Sequence, residues 1–276
     1  MQIELQLSPV GDGLLARDFH HELASALYQA LSRSQPKLAE ELHDGKHRSR
    51  LKLFVFSLFN SEPKPVAAEL PDGTRALKFG SRIWMRFASI WPELVYGMAE
   101  ALQKQKELNV RGQRFRLKED IRMVPAPDFR PTMTYRPFGQ ADFIVCRYQK
   151  DGKNYFQMPD DSVPGIPSCA ELIAGNLRHK LLRLREIRPD IFENLMSIGG
   201  LDAAAVAALP IQVEFLPLME GRVYRTRLTR IKGINVRAFR APLRITAPEA
   251  VHRMVWETGA GSMNTMGFGT MTLGRQ

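Results

Sequence analysis

Cysteine is scarce. Cys146 and Cys169 are the only two in 276 residues, and neither stands in a CxxC or CxxH pairing, which excludes zinc ribbons, iron–sulfur clusters and a disulfide-stapled scaffold. No apolar run approaches the roughly 20 residues needed to span a bilayer. The opening MQIELQLSPVG alternates polar and apolar residues and lacks the basic-then-apolar plan of a secretory signal. A cytoplasmic, reducing setting without a membrane partner is the expectation. No Walker loop, GxSxG elbow, HxH or HExxH occurs, and none of the six histidines has metal-ligand spacing. No metal site and no cofactor are therefore expected. Acidic residues are the scarcer charge, 29 against 39 basic ones, for a net charge of +10. That excess points to an anionic partner, with nucleic acid first.

The chain is 44% hydrophobic, enough for a real core. Ile3, Leu5 and Leu7 alternate as in a half-buried strand. Asp18 can cap a helix over 19–33, with Phe19, Leu23, Leu27, Ala30 and Leu31 on one face. Pro36 opens a short helix that Asp44-Gly45 closes. Leu51 to Phe59, apolar on both faces, reads as a central strand. A strand over 83–87, a helix over 92–106 and a strand over 110–123 complete a β-α-β-β-α-β order, the ferredoxin-like plan. Four prolines in 125–137 interrupt any regular element, and this stretch reads as the linker between domains 1–124 and 138–276.

In the second half the pattern gives strands at 141–148 and 155–158 and a helix over 168–188. A shorter helical stretch follows at 202–208, then strands at 211–216, 223–231, 235–245, 253–257 and 267–273. The fold class expected is α+β, two ferredoxin-like (RRM-like) domains in tandem. Trp84, Trp91 and Trp256 read as core, and His20 and His21 as helix surface.

Charge is clustered more than it is divided. The first 124 residues hold 19 basic and 15 acidic residues, the remainder 20 and 14. From Gly221 to Pro248, eight basic residues occur with no acidic one. Arg225 and Arg227 lie two apart, so in a strand they share a face, with Arg230 following. Lys232-Gly233 makes the turn of a hairpin whose second strand carries Arg237. Such a ribbon suits a phosphate backbone or a groove of structured RNA. Arg178, His179, Lys180, Arg183, Arg185 and Arg188 form a second cluster on the expected helix. Lys46, His47, Arg48, Arg50 and Lys52 form a third. One cluster is ordinarily a solvated face; three favour a polyanion. Near the C-terminus, Gly259, Gly261, Asn264, Gly267 and Gly269 build a glycine-rich stretch whose backbone can approach phosphates closely.

The stretches Leu27-Tyr28, Pro36-Lys37-Leu38-Ala39, Leu42-His43-Asp44 and Lys52-Leu53-Phe54-Val55-Phe56-Ser57-Leu58-Phe59 resemble the N-terminal signature of the CRISPR-associated repeat-RNA endoribonucleases. The Gly259–Gly269 stretch, with Asn264 and its GFG, is similar to the glycine-rich loop of the RAMP superfamily to which those enzymes belong. Between about Pro63 and Leu216 only the pattern matches.

The resemblance implies a catalytic group of Tyr28, His43 and Lys52. It also implies metal-independent attack of a ribose 2′-hydroxyl on the adjacent phosphate, leaving a 2′,3′-cyclic phosphate and a 5′-hydroxyl. The implied partner is CRISPR repeat RNA within precursor transcripts, with a CRISPR effector complex as a further one. Histidine exchanges protons near neutral pH, and lysine supplies charge at the phosphorane. His43 is the principal acid/base, Lys52 the stabiliser, and Tyr28 positions the nucleophile or assists proton transfer; which of His43 and Tyr28 is the base stays open. Tyr28 lies about 120° from the apolar stripe of its helix, so burial does not account for it. His47 is a nearby rival. Gly259, Gly261, Asn264, Gly267, Gly269, Arg225, Arg227, Arg230, Lys232, Arg237, Lys46, Arg48 and Arg50 are the expected RNA contacts. The alternative reading is a non-catalytic RAMP-type subunit that holds CRISPR RNA within an effector.

Overall fold

A computed structural model describes residues 1–43, 52–218 and 223–274, and leaves the side chain of His43 outside that description. The chain opens with β1 (Gln2–Val10), β2 (Leu14–Ala16), α1 (His20–Ser34), α2 (Pro36–His43) and β3 (Phe54–Phe56). It continues through β4 (Asn60–Glu62), β5 (Val66–Glu69), β6 (Arg75–Lys78), β7 (Arg82–Ser89) and α3 (Pro92–Gln105). β8 (Glu107–Val110), β9 (Gln113–Leu117) and β10 (Arg122–Val124) close the first half.

Ile3, Leu5 and Leu7 alternate inward from β1, the centre of an antiparallel sheet ordered β3-β7-β1-β9-β8. They meet Leu23 and Leu27 of α1 and Leu94 and Met98 of α3 in one core. Burying each such side chain contributes about 1.5–3 kcal/mol. The strands of the β-α-β-β-α-β plan are β1, β3, β7 and β9, and they lie in the order second, third, first, fourth. That is the ferredoxin-like arrangement. β2, β5 and β6 form a separate small sheet that sequence patterning did not reveal.

The second half repeats the plan with two hairpins inserted. Its elements are β11 (Thr132–Pro137), β12 (Cys146–Lys150), β13 (Lys153–Gln157), α4 (Cys169–Ile187), α5 (Pro189–Ile198) and a 3₁₀ turn Ala203–Ala208. Then come β14 (Gln212–Phe215), β15 (Arg225–Ile231), β16 (Ile234–Arg240), β17 (Leu243–Thr246), α6 (Glu249–Thr258), a 3₁₀ turn Asn264–Met266 and β18 (Met271–Leu273). The sheet runs β14-β17-β11-β18, again second, third, first, fourth. The hairpins β12–β13 and β15–β16 stand apart from it. The tandem ferredoxin-like expectation holds.

Several expectations need correction. Residues 253–257 are helical, because Ala250, Val251, Met254 and Val255 make a helical stripe that enters the second core. The proline-rich stretch does contain a regular element. β11 begins after Pro131 and ends on Pro137, so its prolines lie at strand boundaries, where the missing N–H is tolerated. The stretch 110–123 is broken by a turn at Arg111-Gly112 and again at 118–121, giving β8, β9 and β10. Among the described residues of the apolar 51–59 segment, the strand is only the short β3, which ends the sheet order and pairs with β7. Its two-sided burial arises because α6 and the Asn264–Met266 turn pack against it. Asp18 does not cap α1. Phe19 holds the cap position, while the Asp18 carboxylate accepts from Arg230 N (3.2 Å) and Thr229 Oγ1 on β15. Trp256 is core, whereas Trp84 and Trp91 are only half-buried. Among the described residues, no helix is long and apolar enough to cross a membrane.

Candidate active site

Tyr28 lies in the middle of α1, with its ring edge-on to Phe54 of β3 at 5.8 Å between centroids. Lys52 stands two residues before β3. Its Nζ donates to Tyr28 Oη at 2.7 Å and lies 4.5 Å from the ring centroid. Two residues expected to act together are thus in direct contact, although 24 positions separate them. Burial raises the Tyr28 phenol above the usual tyrosine range and lowers the Lys52 ammonium from the usual lysine value. The phenol therefore stays protonated at neutral pH. α2 ends on His43 and packs on α1 through Leu38 and Leu42. The His43 side chain, Lys46, His47, Arg48 and Arg50 lie outside the described residues.

Lys52 lines a cleft of about 630 Å³. One wall is α4, through Asn176, His179, Leu182, Arg183 and Glu186; another is the Ser262–Met266 segment; Arg147 of β12 completes it. α4 forms here because Ser168 and Glu171 make a reciprocal capping box, with Ser168 N donating to Glu171 Oε2 at 2.8 Å.

The glycine-rich loop is a folded object. Gly259 (φ 77°) and Gly269 (φ 75°) adopt left-handed backbone. A Cβ on Gly269 would fall 2.0 Å from the Ala260 carbonyl oxygen, and one on Gly259 would fall 2.6 Å from that of Gly269. No other residue fits at either position. Asn264 Nδ2 donates to Ala260 O (3.2 Å) and Phe268 O (2.9 Å), so its amide holds the loop closed. The glycines shape the backbone; the loop residues that line the cleft are 262–266.

Two side chains that sequence reading placed on the surface hold this loop. Lys180, fully buried, donates from Nζ to Thr258 O (2.9 Å) and Gly259 O (2.7 Å) at the end of α6. Burial pulls its pKa down to about 7. His20 is 1% exposed. Its Nδ1 donates to Met266 O at 2.7 Å, and its ring stacks on Phe268 at 4.4 Å. Burial, with Arg227 nearby, lowers its pKa to about 4, so it is neutral. The loop is thereby held from both halves of the molecule. A signal for Lys180 was present: it falls in the stripe Ile173, Leu177, Lys180, Leu184, whose other members are apolar and buried.

The remaining charge is dispersed. On α4, Arg178 donates to Leu209 O (2.9 Å) and Arg183 pairs with Glu186 (2.6 Å); Arg188, between α4 and α5, binds Glu93 and Asp190 (3.1 and 2.7 Å). Only His179 and Arg183 of that cluster line the cleft. The expected hairpin exists, with Lys232-Gly233 at its turn and both at positive φ. Its Arg227 pairs with Asp18 (3.7 Å), and Arg237 pairs with Asp161 (3.2 Å). Arg225, Arg230 and Lys232 are exposed. None of these five residues lines the Lys52 cleft. Arg227 instead lines a second concavity of about 1080 Å³ with Arg86, Arg240 and Trp84. Beside it Asp142 is fully buried and accepts from Leu58 N (3.2 Å); burial raises its carboxyl despite three arginines near it.

Residues 15–121 match the family described as CRISPR-associated protein Cas6, N-terminal, and residues 144–273 match CRISPR-associated protein Cas6, C-terminal. A relative, the CRISPR-associated endoribonuclease Cas6 of Pyrococcus furiosus, is 25% identical over 254 residues, covering 91% of this chain and 81% of its own length. A solved structure of a Cas6-related gene product from Pyrococcus furiosus superposes with a TM-score of 0.72 at 18% identity, covering 100% of this chain and 99% of that one. A RAMP protein binding different RNA substrates superposes with a TM-score of 0.71, also at 18% identity, with both chains fully covered. The two family matches fall one on each ferredoxin-like half, and between them they take in the Tyr28–Lys52 pair and the glycine-rich loop. This chain belongs to the Cas6 family of CRISPR-associated proteins.

Proposed function

We propose that this chain is a metal-independent endoribonuclease that cuts precursor CRISPR transcripts within each repeat. The 2′-hydroxyl attacks the adjacent phosphate, the bond to the 5′-oxygen breaks, and the products carry a 2′,3′-cyclic phosphate and a 5′-hydroxyl. The observation that carries this reading is Lys52, held on Tyr28 at 2.7 Å and facing a cleft whose other wall is the glycine-rich loop. A cation beside a concave backbone surface suits a phosphate whose charge grows in the transition state. The curated relative named as an endoribonuclease supports the reaction class.

Lys52 stabilises the phosphorane. Tyr28, whose phenol burial keeps protonated, orients the reacting groups by hydrogen bonding and transfers no proton. His43, whose imidazole can both accept and donate a proton, takes the 2′-hydroxyl proton and returns it to the departing 5′-oxygen. The backbone of Gly259–Gly269 cradles the RNA, while Arg225, Arg230 and Lys232 track the strand beyond the cleft.

The test is cleavage of labelled repeat RNA in EDTA by wild type and His43→Ala, with a second substrate carrying a 2′-deoxy scissile nucleotide. The expected outcome is a cut by wild type alone, abolished by the deoxy substitution. Tight repeat binding without a cut by wild type would overturn the reading and leave an RNA-holding subunit of an effector.

A further inference from the structure

The hairpin β12–β13 stands apart from the second sheet, and its polar side chains are unused. Among the described residues, no side chain from Arg147 to Phe156 has a hydrogen bond or an ion pair. A ribbon of two strands gains little from its own pairing in water. Lys150 and Lys153 also stand directly opposite each other, and like charges so placed are destabilising. Such a sequence does little to hold the hairpin together and offers many groups to a partner. The other hairpin differs, because Arg227 and Arg237 of β15–β16 are engaged by Asp18 and Asp161 (3.7 and 3.2 Å).

Register divides the hairpin into two faces. Arg147 lies opposite Phe156 and Gln149 opposite Asn154, so these four share one face; Tyr148, Tyr155, Lys150 and Lys153 share the other. The first face begins in the Lys52 cleft, which Arg147 lines. Around that cleft Arg183 and Glu186 neutralise each other (2.6 Å) and Lys52 rests on Tyr28 (2.7 Å). Arg147 and His179 are exposed there and unpaired. Beyond Arg147 the face continues with half-buried Phe156, which packs on the same small core as Met263 of the cleft. The exposed amides of Gln149 and Asn154 follow, and the face carries no acidic side chain. A cation, an apolar ring and two amides that both donate and accept match in turn a phosphate, a base face and base edges of a single strand.

We infer that the Arg147–Phe156 face of β12–β13 is the track for the RNA strand on one side of the scissile phosphate. Arg147 takes the adjacent phosphate, and Phe156, Gln149 and Asn154 meet the nucleotide that follows. The inference rests on the endoribonuclease reading for the placing of the scissile phosphate at Lys52. Continuity with that cleft is what selects RNA as the occupant.

Fluorescence anisotropy across a salt series tests it, with the repeat RNA from the same genome made uncleavable by a 2′-deoxy scissile nucleotide. Arg147→Gln is expected to weaken binding about tenfold, the scale of one charge-assisted contact. It also lowers the slope of log affinity against log salt by about 0.7, the value for one phosphate on a single strand. Of two RNAs truncated at the scissile position, one lacking the 5′ flank and one the 3′ flank, one binds wild type and Arg147→Gln alike. Gln149→Ala with Asn154→Ala weakens binding at unchanged slope. Lys153→Gln, which removes a charge from the opposite face, leaves affinity and slope as in wild type. An Arg147→Gln variant that melts as wild type does and binds with unchanged affinity and slope overturns the track. So does an equal loss in Lys153→Gln, the sign of diffuse attraction by the whole hairpin. Cleavage of the unmodified RNA is read separately: a wild type that shows the Arg147 effect without cutting keeps the track and sinks only the nuclease reading.

Discussion

The two halves of the chain follow one strand order but elaborate different connections. In the first half the passage from α3 to the next strand is a single left-handed residue, Lys106 (φ 57°). At the corresponding place in the second half, the passage from α6 to β18 is the loop with Gly259, Gly261, Gly267 and Gly269, all at positive φ. The situation reverses after the first helix of each half. There the first half carries α2, His43 and Lys52, whereas the second carries α5 and a 3₁₀ turn that pack into its core. One half therefore places Lys52 at the cleft and the other places the glycine-shaped loop there. The same scaffold serves both because its loops, and not its sheet, carry the special residues.

The comparison breaks most severely at Gly269. Gly269→Ala sets a Cβ 2.0 Å from a backbone oxygen at φ 75°, where no flexible side chain can yield. A stability loss of about 3 kcal/mol or more is expected, with repeat-RNA cleavage falling by about 100-fold; thermal melting and single-turnover rates check both. An alanine at Gly112, which has open space around it, serves as the control and leaves cleavage intact.

Lys180 sharpens the contrast by pH. Its folded pKa of about 7 lies below the ordinary 10.5, so between those values the unfolded chain holds a proton that the native chain does not. Stability then rises as pH climbs from about 7, by on the order of 5 kcal/mol if followed to the unfolded pKa. Urea unfolding of wild type and Lys180→Met from pH 6.5 to 9.5 is the measurement. The rise belongs to wild type alone, and equal slopes would refute the assignment.

His20 gives the smaller effect from the other half. Its folded pKa of about 4 lies below 6.5, so its stabilising contribution is complete above pH 6.5 and is lost as pH falls toward 4. The loss is about 3 kcal/mol. His20→Asn, which retains a donor for Met266 O, lacks that acid limb in the same unfolding series.

Legibility in the sequence followed locality. α4 could be read because its N-cap and apolar stripe sit within one stretch, and the turn at Lys232-Gly233 because its conformation is set by the glycine and its neighbour. The expected strand at 253–257 lies within α6: Met254, Val255 and Trp256 make a short apolar run that fits either period, and only packing against the second core selects the helical one. Tyr28 and Lys52 were singled out by the family resemblance, but their contact was not legible in the sequence. The pairing within the basic clusters was not legible for a different reason: the partners of Arg227, Arg237 and Arg188 are Asp18, Asp161 and Glu93, far away in the chain.

By itself the sequence determined the β-α-β-β-α-β order of the first half, the hairpin turn and the places where only glycine allows the backbone to pass. Each of these depends on steric limits within a few residues. Tertiary structure alone decided which charges remain available, that Lys180 and His20 anchor the loop, and that Arg147 lines the Lys52 cleft. Those outcomes depend on burial and on which groups meet across the fold, and neither quantity exists until distant segments are brought together.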